Sequence, residues 1–229
     1  PGLRNFCREP FLEDGRLEWR DAPEQTLDAD IVRPASDPFD AEGGLRLVSG
    51  NVGRAIVKVS AVAPEHHSIK APARVFTSQA AFIEAFNDGE LETDFVAVLP
   101  GQGPRANGMP ELHKLTPYLG VLQNRGFKVA LLTDGRMSGA SGKVLAAIQV
   151  TPESLAGGII GRIRDGDVVT IDSNSGTLAV DAENIESRPA PESDAANEQV
   201  GMGRELFAAF RENSAGAEQG AGIFTTVNA

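Results

Sequence analysis

Apolar positions are sparse up to about Gly44, where Asp, Glu and Pro dominate, so the pattern predicts an irregular, surface-hugging extension over residues 1–44. From Leu45 the pattern changes. Leu45-Arg46-Leu47-Val48 and Ala55-Ile56-Val57-Lys58-Val59 read as strands around the turn Gly50-Asn51-Val52-Gly53, and Arg74-Val75-Phe76 reads as a third. Ser78 is placed to cap a helix carrying Phe82, Ile83 and Phe86 on one face and ending near Gly89. Phe95–Leu99 is an unbroken apolar run, as expected of a strand buried on both faces, and Lys128–Leu132 reads as another strand. Between them Leu112, Leu115, Leu119 and Leu122 recur at helical spacing, which predicts a helix opening at Pro110, kinked at Pro117 and stopped by Gly126. Ala146–Val150 resumes strand character, and Asp167–Asp172 with Thr177–Asp181 predicts a hairpin around Asn174-Ser175-Gly176. After Glu186 the chain turns polar until Arg204–Asn213, where Leu206, Phe207 and Phe210 predict the apolar face of a short helix.

Many short strands with a few helices between them predict a β-rich α/β or α+β domain over 45–229, with a closed or partly closed sheet flanked by helices. The 229 residues, 41% of them hydrophobic, suffice for one sizeable core. A start at Pro1 without Met leads to the expectation that a portion lies upstream.

Charge narrows the function. With 32 acidic against 21 basic side chains the formal charge is -11, which opposes nucleic acid as a partner, and the scattered 6% of aromatic residues offers no stacking platform for bases. No run approaches the roughly 20 apolar residues of a membrane-spanning helix. The single cysteine, Cys7, rules out an internal disulfide and leads to the expectation of a reducing, cytoplasmic setting. It also cannot hold an iron–sulfur cluster by itself. His66-His67, on an extended segment, would point to opposite sides, so the pair reads as surface rather than as a metal clasp.

Two segments carry the candidate chemistry. Gly101–Glu111 and Thr133–Lys143 each follow a buried strand and are crowded with glycine, which lets backbone N–H groups approach a ligand closely. A single loop of this kind is more often a tight turn; two, each with ionisable residues, point to a binding site. Glu111 reads from the residues alone as an acidic first-turn helix residue, Ser138 as a turn serine, and Asp134 as a carboxylate bonding its own loop. Arg105, Arg136 and Lys143 are candidate contacts for a substrate carboxylate or phosphate, or solvated loop charges.

The sequences Gly103-Pro104-Arg105, Gly108-Met109-Pro110-Glu111 and Thr133-Asp134-Gly135-Arg136-Met137-Ser138-Gly139, in that order, resemble the C-terminal signature of the dihydroxy-acid and 6-phosphogluconate dehydratase family. The similarity runs from about Leu3 to Glu218 and takes in Gly50-Asn51, Ala73–Phe76 and Val150-Thr151-Pro152-Glu153. Glu111–Leu115 and Ser138–Lys143 look like the 6-phosphogluconate branch. The resemblance implies a swivelling β-barrel-like domain that closes over an N-terminal cluster domain, in an enzyme that removes water from a sugar acid and dimerises. It implies an iron–sulfur cluster whose cysteine ligands lie outside this chain, and a divalent cation, magnesium, ligated by Glu111. Ser138 matches the serine that takes the proton, its alkoxide supported by the cation and by N–H groups such as those of Gly139 and Ala140. This chain alone is accordingly expected to be folded but inactive. Another sugar-acid or dihydroxy-acid dehydratase, or a non-catalytic anion-binding domain, stays open as an alternative.

Overall fold

The computed structural model describes residues 7–23, 25–138, 142–189, 201 and 203–224. The chain divides into two compact units, Pro1–Gly43 and Gly44–Ala229.

The first unit corrects the expectation of an irregular extension. Strands β1 (Arg8–Glu13) and β2 (Arg16–Asp21) form an antiparallel hairpin in register from Arg8↔Asp21 to Glu13↔Arg16. Its turn is Asp14-Gly15, with φ of 50° and 77°, the left-handed pair that a tight two-residue hairpin turn requires. Leu12, Leu17 and Trp19 are exposed on it, so the hairpin lacks the one-sided apolar alternation by which strands are usually read.

The second unit is a closed eight-stranded barrel. In chain order its elements are β3 (Leu45–Gly50), β4 (Gly53–Lys58), β5 (Ser68–Val75), α1 (Gln79–Asn87), β6 (Phe95–Leu99), α2 (Pro104–Asn107), α3 (Leu115–Asn124), β7 (Val129–Thr133), β8 (Leu145–Thr151), β9 (Val168–Asp172), β10 (Thr177–Asp181) and α4 (Ala208–Glu212). Around the barrel the order is β10-β3-β4-β8-β7-β6-β5-β9, closing back on β10. The β5-β6-β7-β8 arc is parallel; β3-β4-β8 and β5-β9-β10 pair antiparallel.

Burial follows the sequence pattern strand by strand. β5, β9 and β10 alternate, sending Ile69, Ala71, Val169, Ile171, Leu178 and Val180 into the barrel interior. β6 and β7 are buried at every position because helices cover their outer face. There Phe82 of α1, capped by Ser78 as expected through the Ala81 N–H, packs with Phe95, Leu99, Leu119 and Leu122. Phe82 is fully buried and stacks edge-on against Phe76, so its truncation to Ala would cost about 3–5 kcal/mol.

The barrel's seam is made by Gly50-Asn51. β10 meets β3 through a single parallel pair, Thr177↔Ser49, and the Asn51 side chain extends the ladder: its Nδ2 donates to the Val180 carbonyl at 2.8 Å and its Oδ1 accepts from the Val180 N–H at 2.9 Å. A Cβ at Gly50 would stand 2.1 Å from the Leu178 carbonyl oxygen, so no other residue fits there.

Two predicted helices change. The leucine-bearing helix begins at Leu115, not Pro110, leaving Pro117 in its first turn, where a missing N–H does no harm and no interior bond is broken. Arg204–Asn213 is a 3-10 turn (Arg204–Phe207) followed by α4, and Leu206, Phe207 and Phe210 are exposed rather than buried. No helix among the described residues is long and apolar enough to cross a membrane.

Candidate functional site

Because β6 and β7 are parallel neighbours, paired from Phe95↔Val129 to Leu99↔Thr133, their C-terminal ends lie side by side. Both Gly-rich loops therefore leave the barrel at the same edge, the usual position for ligands in parallel sheets. The junction is stitched. The Thr133 hydroxyl donates to the Leu99 carbonyl at 2.8 Å and accepts the Gly135 N–H at 3.0 Å. Leu112 donates to the Arg136 carbonyl at 3.1 Å, and Glu111 and Arg136 form an isolated parallel bridge. Gly135 is required by this approach: a Cβ there would lie 2.7 Å from the Gln102 side chain and 3.0 Å from Leu112.

Glu111 and Ser138 are brought together. Glu111 Oε1 accepts the Ser138 N–H at 2.6 Å, and Oε2 lies 3.2 Å from Arg136 Nη1. Arg136 Nε is held by the Met109 carbonyl at 2.7 Å. The residue before the serine anchors the turn from the other side, since Met137 packs on the α3 core and its sulfur accepts from the Thr116 hydroxyl at 3.2 Å. Ser138 itself is exposed. Gly139 and Ala140, expected to supply N–H groups to it, lie outside the described residues.

Arg105 and Lys143 sit elsewhere. Arg105, on α2, donates through Nε to the Ser214 carbonyl at 2.8 Å. Lys143 is exposed, and its carbonyl accepts from Gln123. Among the described residues Asp134 makes no bond within its own loop. It is fully buried, and its carboxylate accepts from the N–H groups of Gly101 (3.2 Å), Gln102 (2.8 Å) and Ser154 (2.9 Å), joining the loops that follow β6, β7 and β8.

Sequence reasoning gave no role to two residues that the structure brings into play. Glu153 is buried beneath α2 and accepts from the N–H groups of Arg105 and Ala106; burial raises its pKa above the ordinary value, the Asp134 charge adds to this, and the two N–H bonds oppose it. Its buried position follows from β8, and polar sequence alone carries no sign of it. Lys58, at the end of β4, shares a recess of about 100 Å³ with Met137 and Ser138. A methyl group in place of the Gly142 hydrogen would stand 3.4 Å from its Nζ, so the ammonium borders the serine loop.

A model of the dihydroxy-acid/6-phosphogluconate dehydratase C-terminal family matches residues 30–221, which include every residue of this site. The chain belongs to this family. It is 60% identical, over 98% of its length, to a phosphogluconate dehydratase of Pseudomonas aeruginosa, and 50% identical over 98% to one of Escherichia coli K12. A dihydroxy-acid dehydratase of Sulfurisphaera tokodaii is 42% identical over 66% of the chain. The chain spans a little over a third of the phosphogluconate dehydratases it matches, 37% and 38% of their lengths.

The groups that the family resemblance implies can be held against these residues. Cys7 is the one cysteine of the chain and is exposed in the first unit, so no cluster fits here. Among the described residues no three His, Cys, Asp or Glu side chains gather around a common point. Glu111 offers a hard divalent ion a single part-exposed carboxylate, whose Oε2 would have to exchange its bond to Arg136 for the ion.

Proposed function

We propose that this chain is the C-terminal part of a phosphogluconate dehydratase, converting 6-phosphogluconate to 2-keto-3-deoxy-6-phosphogluconate and water. The observation that carries the reading is the Glu111–Ser138 contact at the paired ends of β6 and β7, set in a chain 60% identical to a protein of that name over 98% of its length.

The reaction breaks the C2–H bond beside the carboxylate and the C3–OH bond next to it. The electron pair left at C2 forms the enol double bond as hydroxide departs from C3, and the enol tautomerises to the 2-keto acid. Ser138, exposed beside Glu111, is the group that takes the C2 proton. A serine hydroxyl is too weakly acidic for this unaided, and Lys58, bordering the same recess, is the cation that this chain offers to a developing alkoxide. Glu111 holds the serine turn through its backbone N–H and keeps Arg136 oriented. Arg136, half-exposed, is the guanidinium available to the substrate carboxylate.

A divalent cation with Glu111 among its ligands, and an iron–sulfur cluster held by the rest of the enzyme, would together supply Lewis acidity at the carboxylate and at the departing hydroxyl. The setting proposed is a cytoplasmic homodimer in which the upstream part of the same polypeptide is this domain's partner.

The test is an assay of the whole protein that carries this chain. Formation of the 2-keto-3-deoxy acid from 6-phosphogluconate, abolished by Ser138→Ala, is expected. Turnover of unphosphorylated dihydroxy acids alone would move the protein to the other branch of the family.

A further inference from the structure

A second cavity of about 400 Å³ opens on the other side of the Pro104–Met109 loop, between it and the segment from Gly203 to Ile223. It is lined on one side by Pro104, Asn107 and Met109, and on the other by Arg204, Phe207 and Arg211. In a chain of formal charge -11, two guanidinium groups at one cavity stand out.

They are built in rather than splayed on the surface. Arg211 is 9% exposed, and its Nη1 donates to the Arg204 carbonyl at 3.1 Å, so the two arginines are packed together. Arg204 Nη1 donates to the neutral Asn107 Oδ1 at 2.9 Å, and Asn107 is fixed in turn by Gln102. Arg204 Nε is buried and has no hydrogen-bond partner among the described residues. A buried cationic donor left unbonded is costly unless an anion completes it. Arg105 borders the same place, since its Nε holds the carbonyl of Ser214, another residue of the cavity wall.

This cavity and the Glu111–Ser138 site share a wall. The Met109 side faces the cavity, and its carbonyl holds the Arg136 that pairs with Glu111. Met109 and Glu111 are two residues apart, at most about 7 Å of extended chain. A six-carbon acid with its carboxylate at Arg136 would have to pass around Met109 to set its far end at Arg204.

We propose that the cavity between α2 and the C-terminal segment is the phosphoryl pocket of the site, with Arg204 gripping the dianion and Arg211 lining the wall beside it. This rests on the phosphogluconate reading above and locates the specificity for a phosphorylated substrate. A planar guanidinium fork suits a phosphoryl group, and an unphosphorylated acid would leave the buried Arg204 Nε unbonded. The phosphate is placed at Arg204 in preference to Lys143, which is exposed and has no part in the cavity wall.

The experiment compares the whole parent enzyme with Arg204→Gln and Arg204→Lys. Steady-state rates with 6-phosphogluconate and with gluconate are measured alongside direct binding of inorganic phosphate by phosphorus NMR. Arg204→Gln should raise KM for the phosphorylated acid roughly tenfold to hundredfold and that for gluconate less than about twofold. It should also abolish phosphate binding, while Arg204→Lys recovers part of both. Equal KM changes for the two acids, or undiminished phosphate binding in Arg204→Gln, would overturn the pocket. Should the parent turn over no phosphorylated acid, the phosphogluconate reading falls by itself, and the phosphate titration decides the pocket: binding lost in Arg204→Gln retains it as an anion site, and a parent that binds none removes it.

Discussion

Oε1 of Glu111 lies 2.6 Å from the backbone nitrogen of Ser138, so one carboxylate oxygen orients the serine turn while the other is paired with Arg136. Glu111→Gln keeps an acceptor for the Ser138 N–H but loses the charge, both for Arg136 and for a divalent ion. Its activity should fall by on the order of a hundredfold or more with a weakened dependence on added magnesium, and the Ser138 amide should stay protected from exchange. Glu111→Ala should lose that protection as well. A Gln variant that saturates at the parent's magnesium concentration would leave Glu111 with the turn alone.

Ser138→Ala removes no core volume, because Ser138 is exposed. Turnover should drop by about 10²- to 10⁴-fold while the circular dichroism spectrum and melting temperature stay those of the parent. A rate within a few-fold of the parent would take the proton-abstracting role from this serine.

Lys58→Met preserves the stem that lines the recess and deletes the ammonium. If that charge steadies a serine alkoxide, the limb of the pH–rate profile on which activity rises with pH should move to higher pH and the rate at neutral pH should fall by on the order of a hundredfold, with Lys58→Arg restoring part of both. An unmoved limb would restrict Lys58 to packing.

Glu153 sets a pH dependence of stability. Burial first, then the Asp134 charge, raises its carboxyl above the ordinary value of 4.5, against the pull of the Arg105 and Ala106 N–H groups. Between the ordinary and the raised value the folded state holds a proton that the unfolded state has released, so its contribution is greatest below about 4.5 and is lost as pH rises through the raised value. Relative to Glu153→Gln, the parent should therefore gain melting temperature as pH is lowered from neutral towards the carboxyl range. Thermal melts of both proteins that run parallel across that range would show the carboxyl to be unshifted.

Much of the fold was legible wherever local pattern and burial agree. Ser78 capping α1, the unbroken runs of β6 and β7, and the β9–β10 hairpin around Asn174-Ser175-Gly176 all follow from near-neighbour chemistry. Barrel closure does not, because it depends on Ser49 meeting Thr177 and on the Asn51 amide meeting Val180, 129 positions away. The β1–β2 hairpin was missed because its side chains are exposed on both faces, although Asp14-Gly15 is a turn signal in its own right. Glu111 and Ser138 stood out through the family's motifs, and adjacency of the two loops followed from parallel pairing. Lys58 and Glu153 had no such marker: each reaches the site only through strands remote in sequence.

Asp134 accepts the N–H groups of Gly101, Gln102 and Ser154, so three consecutive crossings of the barrel rim end on one buried anion. None of these loops can be displaced alone without stranding that charge in an apolar interior. Mechanically they behave as one plate. Any bending of the domain would have to occur outside the plate, and Glu111 and Ser138, bonded to each other, would move as a pair.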